Sequence, residues 1–223
     1  MQKQAATAII KKGQITKAII FDLDNCLAAA NEPGEQLYAP AFDAIRRENR
    51  GVVPEGTLNE AFADCWFTPL DKVAAKYGFS EAMLAAGWKV FAALEVGTPM
   101  RGYGDLAALS ELPVLRFLVT SGFRRLQDSK IRALGIERSF TAIHVDAIDE
   151  PGEKGKRRIF EQFLNTYRIK PSEALVVGDS SVSEIEAGNS LGISTVQILR
   201  PGVPRADNAK FHISSLIELK KLL

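Results

Sequence analysis

Residues 15–25 decide the fold, and they read ITKAIIFDLDN. The first seven form a short, β-rich and mostly apolar run, and the acidic turn Asp22-Leu23-Asp24-Asn25 follows directly. A continuous apolar run of this length is typical of a strand that is buried on both faces. Because strands of that kind belong to parallel sheets covered by helices, the stretch predicts an α/β fold.

Four later runs predict further strands of the same sheet. Two are strongly apolar, at residues 114–119 and 174–177, and two are weaker, at 142–145 and 195–199. Helical patterns fall between or beside the runs, at residues 104–112, 124–134, 157–167 and 183–191. Strands that alternate with helices of this length predict right-handed βαβ units, and so a Rossmann-like, doubly wound parallel sheet.

One region interrupts this alternation. Residues 37–95 carry helical signals and no convincing strand, and Ser80 has the sequence context of a helix N-cap. The predicted division of the chain is a tail at residues 1–14, a core at 15–28 and 100–223, and an all-helical cap domain at 29–99 inserted after the first strand. An edge strand at residues 7–10 is the alternative for the tail.

Composition excludes several classes of function. The 223 residues include 28 basic and 27 acidic side chains, so no net field favours a polyanion and nucleic-acid binding is not expected. No apolar run reaches the roughly 18 residues of a membrane span, and the start lacks a secretory signal pattern. Cys26 and Cys65 fit neither a disulfide framework nor a zinc site. We therefore expect a cytoplasmic globular protein, a monomer or homodimer, that contacts no membrane.

Polar side chains follow the three strongest predicted strands. They are Asp22 and Asp24 after the first, Thr120 and Ser121 after the second, and Asp179 after the third, with Lys154 and Lys156 just before a helix. In open α/β sheets, ligands bind outside the carboxyl ends of the strands. Carboxylates that converge there repel one another and need a cation, and a set without His or Cys suits Mg²⁺. With a hydroxyl and lysines nearby, this set predicts a metal-assisted site for phosphoryl transfer.

Three of these segments resemble motifs of the haloacid dehalogenase-like hydrolases. Residues 21–27 (FDLDNCL) resemble the first motif, 118–122 (LVTSG) the second, and 177–180 (VGDS) with 184–188 (EIEAG) the fourth. They occur in the order that the family has, and the resemblance covers about residues 15–28 and 100–205. It implies the helical-cap phosphatase type of the family, with a small phosphorylated metabolite as substrate and Mg²⁺ as cofactor.

The resemblance also implies roles for individual residues. Asp22 matches the nucleophile, which forms an aspartyl-phosphate, and Asp24 matches the general acid and base. The implied catalytic residues are Asp22, Asp24, Thr120 and Lys154, the substrate-binding residues are Leu23, Ser121, Gly122 and Lys156, and the metal ligands are Asp22, Asp24 through its carbonyl, Asp179 and Glu184. The expected reaction is hydrolysis of a small phosphate monoester.

Two positions depart from the family's pattern. Cys26 stands where Thr or Val is usual, so a hydrogen bond that orients Asp22 is missing or weakened, because a thiol is a poor donor. Glu184 stands where Asp is commoner, and we expect its longer arm to reach the metal through a water or through Ser183. Neither change removes a group that turnover needs.

The lysine of the third motif is ambiguous. Lys154 lies six positions before Phe160, Lys156 lies 23 positions before Asp179, and both spacings occur in the family. Lys154 is preferred, because the site of the insertion resembles members that use the longer spacing. The other lysine is expected only to add positive potential.

Three other functions stay open at this point. A 2-haloacid dehalogenase would share the fold and the nucleophile, but its chemistry needs neither a second Asp nor a metal, so Asp24 argues against it. A phosphomutase would need the phospho-enzyme to outlive attack by water. A catalytically silent protein that binds a phosphorylated metabolite is the third, and Cys26 is the feature that favours it.

Overall fold

A computed structural model describes residues 15–223. It contains the strands β1 (Ala18–Phe21), β2 (Leu115–Gly122), β3 (Ala142–Ala147), β4 (Ala174–Gly178), β5 (Ser194–Ile198) and β6 (Phe211–Ile213). They form one parallel sheet in the order β3-β2-β1-β4-β5-β6. The helices α5 (Arg124–Leu134), α6 (Lys156–Tyr167) and α7 (Glu184–Ser190) connect its strands. The predicted α/β fold with a Rossmann-like parallel sheet is confirmed.

Strand β1 lies in the middle of the sheet, between β2 and β4. Phe21 at its end pairs with Leu118 on one side and with Val177 on the other. Alternate residues of β1 enter two different buried clusters, one on each face of the sheet, and all four are at most 1% exposed. This burial on both faces explains the continuous apolar run in the sequence. The residues that follow β1, β2 and β4 therefore meet at one edge of the sheet.

The five predicted strands are all present, with small shifts at their ends. Strand β6 was not predicted. Its three residues, with a half-buried His212 at the centre, are too few to show the alternation of apolar and polar residues that indicates a strand. The segment predicted as a helix at 104–112 is a 3₁₀ helix, Leu106–Glu111. The predicted tail, and the alternative edge strand within it, lie outside the described residues.

Four helices lie between β1 and β2. They are α1 (Ala39–Glu48), α2 (Glu55–Asp64), α3 (Leu70–Tyr77) and α4 (Glu81–Phe91), and residues 29–99 contain no strand. Ser80 caps α4 as predicted, since its hydroxyl oxygen accepts the N–H of Met83 at 3.2 Å. Helices α1 and α4 approach closely, because a Cβ on Gly87 would lie only 2.7 Å from Ile45. We call residues 29–99 the helical insertion; its role as a separate cap domain stays a prediction.

The two crossings between the core and the helical insertion are tied together. The Glu32 carboxylate accepts the backbone N–H groups of Arg101 and Gly102. The Leu27 carbonyl accepts the N–H of Tyr103 at 2.9 Å. These bonds fix the insertion's entry and exit side by side. Among residues 15–223, none of the helices has the length and apolar character needed to cross a membrane.

Candidate active site

A cavity of about 760 Å³ opens at the carboxyl ends of β1, β2 and β4, and the helical insertion supplies part of its wall. Nine of the ten predicted site residues line it: Asp22, Asp24, Thr120, Ser121, Gly122, Lys154, Lys156, Asp179 and Glu184. Leu23 is the exception. Its side chain is fully buried in the core cluster on one face of the sheet, so the predicted contact of this side chain with a substrate is not supported.

Lys156, the first residue of α6, forms a buried ion-pair network at the end of β1. Its Nζ lies 2.7 Å from Asp22 Oδ1 and 2.9 Å from Glu184 Oε2, and all three residues are buried. Burial alone would lower the pKa of Lys156, but the two carboxylates outweigh it and raise that pKa. Lys156 therefore carries a positive charge beside the predicted nucleophile.

Lys154 faces elsewhere. Its ammonium donates to the backbone carbonyls of Ala147, at the end of β3, and of Glu150, in the turn that follows. The loop before α6 points Lys154 toward that turn, whereas the first turn of α6 points Lys156 toward Asp22. The preference for Lys154 as the lysine beside the nucleophile is therefore not supported by the geometry, which places Lys156 there.

Three carboxylates cluster around Lys156. Oxygens of Asp22, Asp179 and Glu184 all lie within 4.8 Å of one another. Burial raises the pKa of Asp22 to about 7 against the pull of Lys156, with repulsion from Glu184 adding to the rise. Burial, then Glu184 and Asp22, raise the pKa of Asp179 to about 8. One ammonium thus leaves the cluster with excess negative charge, and this oxygen set fits a divalent cation such as Mg²⁺.

Glu184 has both carboxylate oxygens engaged. Oε2 accepts from Lys156, and Oε1 accepts the backbone N–H of Ser180 at 2.5 Å. The side chain passes directly beside Gly178 at the end of β4, where a Cβ would lie 2.2 Å from its Cγ. Glu184 therefore anchors the lysine and the loop after β4. Asp22, Asp179 and Glu184 offer the carboxylate oxygens that could hold a cation, and both oxygens of Glu184 already accept hydrogen bonds. The Asp24 carbonyl as a metal ligand stays a prediction.

Asp24 is held by a second set of donors, which sequence reasoning missed. Lys130 Nζ lies 2.7 Å from Asp24 Oδ1, and Gln127 Nε2 lies 3.0 Å from Asp24 Oδ2. Both donors come from α5 and are buried. Burial would lower the pKa of Lys130, but Asp24 and the Tyr38 hydroxyl outweigh it and raise that pKa to about 12. The available signal was a lysine among apolar core-facing positions of a predicted helix.

Asp146 is another missed residue of the site. Its Oδ2 accepts the Ser121 hydroxyl at 3.2 Å and the N–H of Gly155 at 3.0 Å. It therefore ties the ends of β2 and β3 to the loop that precedes α6. The signal was its position: like Asp22 and Asp179, it falls at the carboxyl end of a predicted strand.

Two residues at the carboxyl end of β2, Thr120 and Gly122, are constrained by their surroundings. Thr120 is buried with 1% exposure, and it is one of the residues that line the cavity. Gly122 has φ of +155°, and the Gln127 amide occupies the place of a Cβ, 2.5 Å from it. A larger residue at position 122 would therefore displace one of the two donors on Asp24.

The Cys26 thiol makes its hydrogen bond to a backbone carbonyl and not to the Asp22 carboxylate. It is fully buried and donates a long hydrogen bond, 3.7 Å, to the carbonyl of Val177. Burial raises the pKa of this thiol well above its usual value, so it stays protonated. The orientation of Asp22 comes from Lys156 instead, which replaces the hydrogen bond that we expected to be weakened.

The helical insertion lines the outer part of the cavity with aromatic side chains. Tyr38 and Trp66 stack with their ring centroids 4.0 Å apart, and Phe91 stacks on Phe123 of the core at 5.5 Å. Phe67 is 63% exposed at the cavity wall. The inner end of the cavity is thus charged and the outer end is largely aromatic.

Comparison with known proteins gives a family for this arrangement. A family model described as haloacid dehalogenase-like hydrolase matches residues 16–192, which span β1 to the turn after α7. A hydrolase of this family from Streptococcus pneumoniae has the same fold, with a TM-score of 0.67 and 17% identity over 93% of this chain and 98% of that one. A phosphatase of the family from Thermococcus onnurineus gives a TM-score of 0.63 and 22% identity over 93% and 97%.

Two curated relatives are similar in sequence. The glyceraldehyde 3-phosphate phosphatase of Methanopyrus kandleri is 27% identical over 82% of this chain and 84% of its own length. The human N-acylneuraminate-9-phosphatase is 33% identical, but over only 52% of this chain and 49% of its own. The family model covers the residues that build the charged end of the cavity, and its match extends over most of the chain. The chain therefore belongs to the haloacid dehalogenase-like hydrolases.

Proposed function

We propose that this chain is a Mg²⁺-dependent phosphatase that hydrolyses a small phosphate monoester through an aspartyl-phosphate on Asp22. One observation carries the proposal: Asp22 lies at the cavity floor beside the buried Lys156, in a cluster of three carboxylates with excess negative charge. The named activities of the two curated relatives support it, because both are phosphatases of small metabolites. The assembly, expected as a monomer or homodimer, stays a prediction.

The first half-reaction joins Asp22 to the substrate's phosphorus. A carboxylate oxygen of Asp22 attacks phosphorus, the ester P–O bond breaks, and Asp24 gives a proton to the leaving oxygen. Lys156 holds the Asp22 carboxylate in place during the attack. The Thr120 hydroxyl binds a phosphoryl oxygen. Asp22, Asp179 and the Asp24 carbonyl would hold Mg²⁺, which would supply positive charge to offset the charge on the phosphoryl group.

The second half-reaction returns the enzyme to its starting state. Asp24 takes a proton from water as that water attacks phosphorus, and the bond between Asp22 and phosphorus breaks. Inorganic phosphate leaves, and both carboxyl groups are restored. Asp24 fits this double role because it lines the same cavity as Asp22 and is partly exposed, whereas Asp22 is buried. A dehalogenase would not need this second carboxyl group.

The helical insertion acts as a cap in this proposal. Its aromatic side chains form the outer wall of the cavity and contact the leaving group, while the core residues act on the phosphate. The cavity of about 760 Å³ is larger than a phosphate group needs, so the outer wall has room to select among leaving groups.

The test is a turnover assay on the purified 223-residue chain. p-Nitrophenyl phosphate and a panel of metabolite monophosphates are offered with Mg²⁺ and, separately, with EDTA. We expect release of inorganic phosphate that EDTA stops. Asp22→Asn removes the nucleophile and should lower kcat by at least ~10³-fold, with an unchanged far-ultraviolet circular dichroism spectrum. No turnover of any ester, or full turnover by Asp22→Asn, would contradict the proposal.

A further inference from the structure

We propose that Lys130, assisted by Gln127, positions the Asp24 carboxylate for its proton transfers, so that Lys130 is a positioning residue of the reaction. The inference rests on the proposed function, since it assigns a role to the contacts of the residue that acts as acid and base. Lys130 touches neither the phosphate nor the leaving group in this scheme. It acts through Asp24.

The contacts fix the carboxylate at both oxygens. Lys130 Nζ lies 2.7 Å from Oδ1, and Gln127 Nε2 lies 3.0 Å from Oδ2. Gln127 is itself held, because its Nε2 also donates to the carbonyl of Ser121 at 3.3 Å. Residues 127 and 130 are three positions apart, so they lie on the same face of α5. Two donors from one rigid helix thus define the plane of the carboxyl group, and each oxygen keeps a further lone pair for the transferred proton.

Burial distinguishes this pair from an ordinary surface ion pair. The Lys130 side chain is 1% exposed, while Asp24 keeps 22% of its side chain exposed toward the cavity. Burying an ammonium group is costly unless a partner compensates it. The flanking residues Leu126 and Ile131 are buried apolar side chains of the kind that normally fill such positions. The ion pair with the Asp24 carboxylate therefore explains why a lysine occupies a core position of α5.

The groups around Lys130 link the core to the helical insertion. Tyr38, the residue just before α1, has its hydroxyl beside the Lys130 ammonium. Lys156, by contrast, contacts Asp22 and Glu184. The two aspartates of the first motif thus each have their own ammonium group. Lys156 serves the residue that forms the bond to phosphorus, and Lys130 serves the residue that moves the proton.

The chemistry separates these roles. In the first half-reaction the proton of Asp24 goes to the leaving oxygen while Asp22 bonds to phosphorus, and in the second a proton of water returns to Asp24. Lys130 keeps its own protons throughout. Loss of Lys130 should therefore weaken proton transfer and leave the attack by Asp22 intact. An ester whose leaving group needs no proton will show the difference.

The experiment compares two esters in the 223-residue chain with Lys130→Met, which keeps an unbranched side chain only one heavy atom shorter and removes the charge. p-Nitrophenolate leaves without protonation, whereas the alkoxide of glycerol 3-phosphate, or of the sugar phosphate that the wild type hydrolyses fastest, needs it. We expect kcat/KM for the alkyl ester to fall by ~10–100-fold, and kcat/KM for p-nitrophenyl phosphate by less than ~3-fold. For p-nitrophenyl phosphate kcat and KM should fall together, because attack by water still uses Asp24.

Matched variants make each outcome decisive. Lys76→Met removes an exposed lysine that pairs with Asp64 outside the cavity, and it should leave both esters unchanged. Gln127→Met should give the same pattern as Lys130→Met with a smaller ratio, and it carries the test if Lys130→Met does not fold. Equal loss on both esters, or no loss, overturns the inference while the phosphatase stands. A wild type that hydrolyses no ester overturns the proposed function, and this inference with it.

Discussion

Two buried lysines, Lys156 and Lys130, bind aspartates of the same short turn after β1, and the groups that surround the two lysines differ. Lys156 lies in a cluster of three carboxylates, whereas Lys130 meets the single carboxylate of Asp24 with an amide donor beside it. In the first cluster the negative charges outnumber the positive ones, and the pKa of Asp22 rises to about 7. In the second the charges balance.

The difference shows where each cluster can accept a further charge. A cluster with excess negative charge in a buried place is stabilised by a cation, and so the Lys156 cluster suits Mg²⁺. The charge of Asp24 is already neutralised by Lys130, so this pair does not need a cation and acts by fixing the position of the Asp24 carboxylate. Two aspartates that are two residues apart in the sequence are thus prepared for different tasks by their neighbours. Three perturbations test this contrast, and the first has the largest expected effect.

Lys156→Met should break the first cluster. It leaves Asp22 and Glu184 side by side in a buried place without their shared ammonium group. We expect kcat/KM for p-nitrophenyl phosphate to fall by ~10²–10³-fold, the size of effect seen when one preorganised electrostatic contact is removed from an active site. Steady-state kinetics at saturating Mg²⁺ measure it.

Lys154→Met is the matched control for that variant. It removes the same charge two residues away. Among the contacts described, the Lys154 ammonium binds only two backbone carbonyls, those of Ala147 and Glu150. Its kcat/KM should change by less than ~3-fold, because that side chain binds neither Asp22 nor Glu184 in the structure. If Lys154→Met instead shows the large loss of kcat/KM and Lys156→Met the small one, the lysine that acts in the reaction is Lys154. The contrast between the two clusters would then be wrong.

The sequence predicted the parts of the site that lie next to strand ends. Asp22, Thr120 and Asp179 follow apolar runs that are easy to find, and parallel strands bring their carboxyl ends to one edge. The preference for Lys154 over Lys156 is not supported, because the spacing of the lysines does not show which of them lies in the loop and which in the first turn of α6. Only the start of α6 in three dimensions decides it.

Lys130 and Gln127 were missed for a different reason. They lie inside a helix whose alternation of apolar and polar residues reads as an ordinary amphipathic pattern. Their partner Asp24 is more than a hundred positions away in the sequence, so no local spacing joins them. The aromatic wall of the insertion is likewise a product of tertiary packing. Contacts between segments that are far apart in the sequence are therefore the part of the site that a single sequence does not predict.

Gly178→Ala sharpens the contrast by disturbing Glu184 without removing any charge. The added Cβ would lie 2.2 Å from Cγ of Glu184, so the side chain that anchors Lys156 must move. We expect a loss of about 1–3 kcal/mol in the free energy of unfolding, measured by urea denaturation. Gly56→Ala is the control, because nothing lies within 4 Å of its Cβ position in α2. If Gly178→Ala is as stable as Gly56→Ala, Glu184 is not packed against the strand end.

The smallest effect is a pH dependence of stability that belongs to the Lys156 cluster alone. The pKa values of Asp22 and Asp179 are raised in the folded chain to about 7 and about 8, from 3.8. The folded chain therefore holds more protons than the unfolded chain between these values. Their contribution to stability is present below pH ~4 and is lost as the pH rises through 7 to 8.

In EDTA, we therefore expect the Tm of the wild type to fall as the pH rises from 5.5 to 8.5. The Tm of Asp179→Asn should fall over the same range by ~2–5 °C less than that of the wild type. Mg²⁺ should restore the Tm of the wild type at pH 8.5, because a cation replaces the protons, and restore that of Asp179→Asn less. Asp43→Asn, at an exposed site in α1, should keep the slope of the wild type. If Tm falls with pH as steeply in Asp179→Asn as in the wild type, Lys156 already neutralises the negative charge of its cluster. The Lys156 and Lys130 clusters would then not differ in net charge.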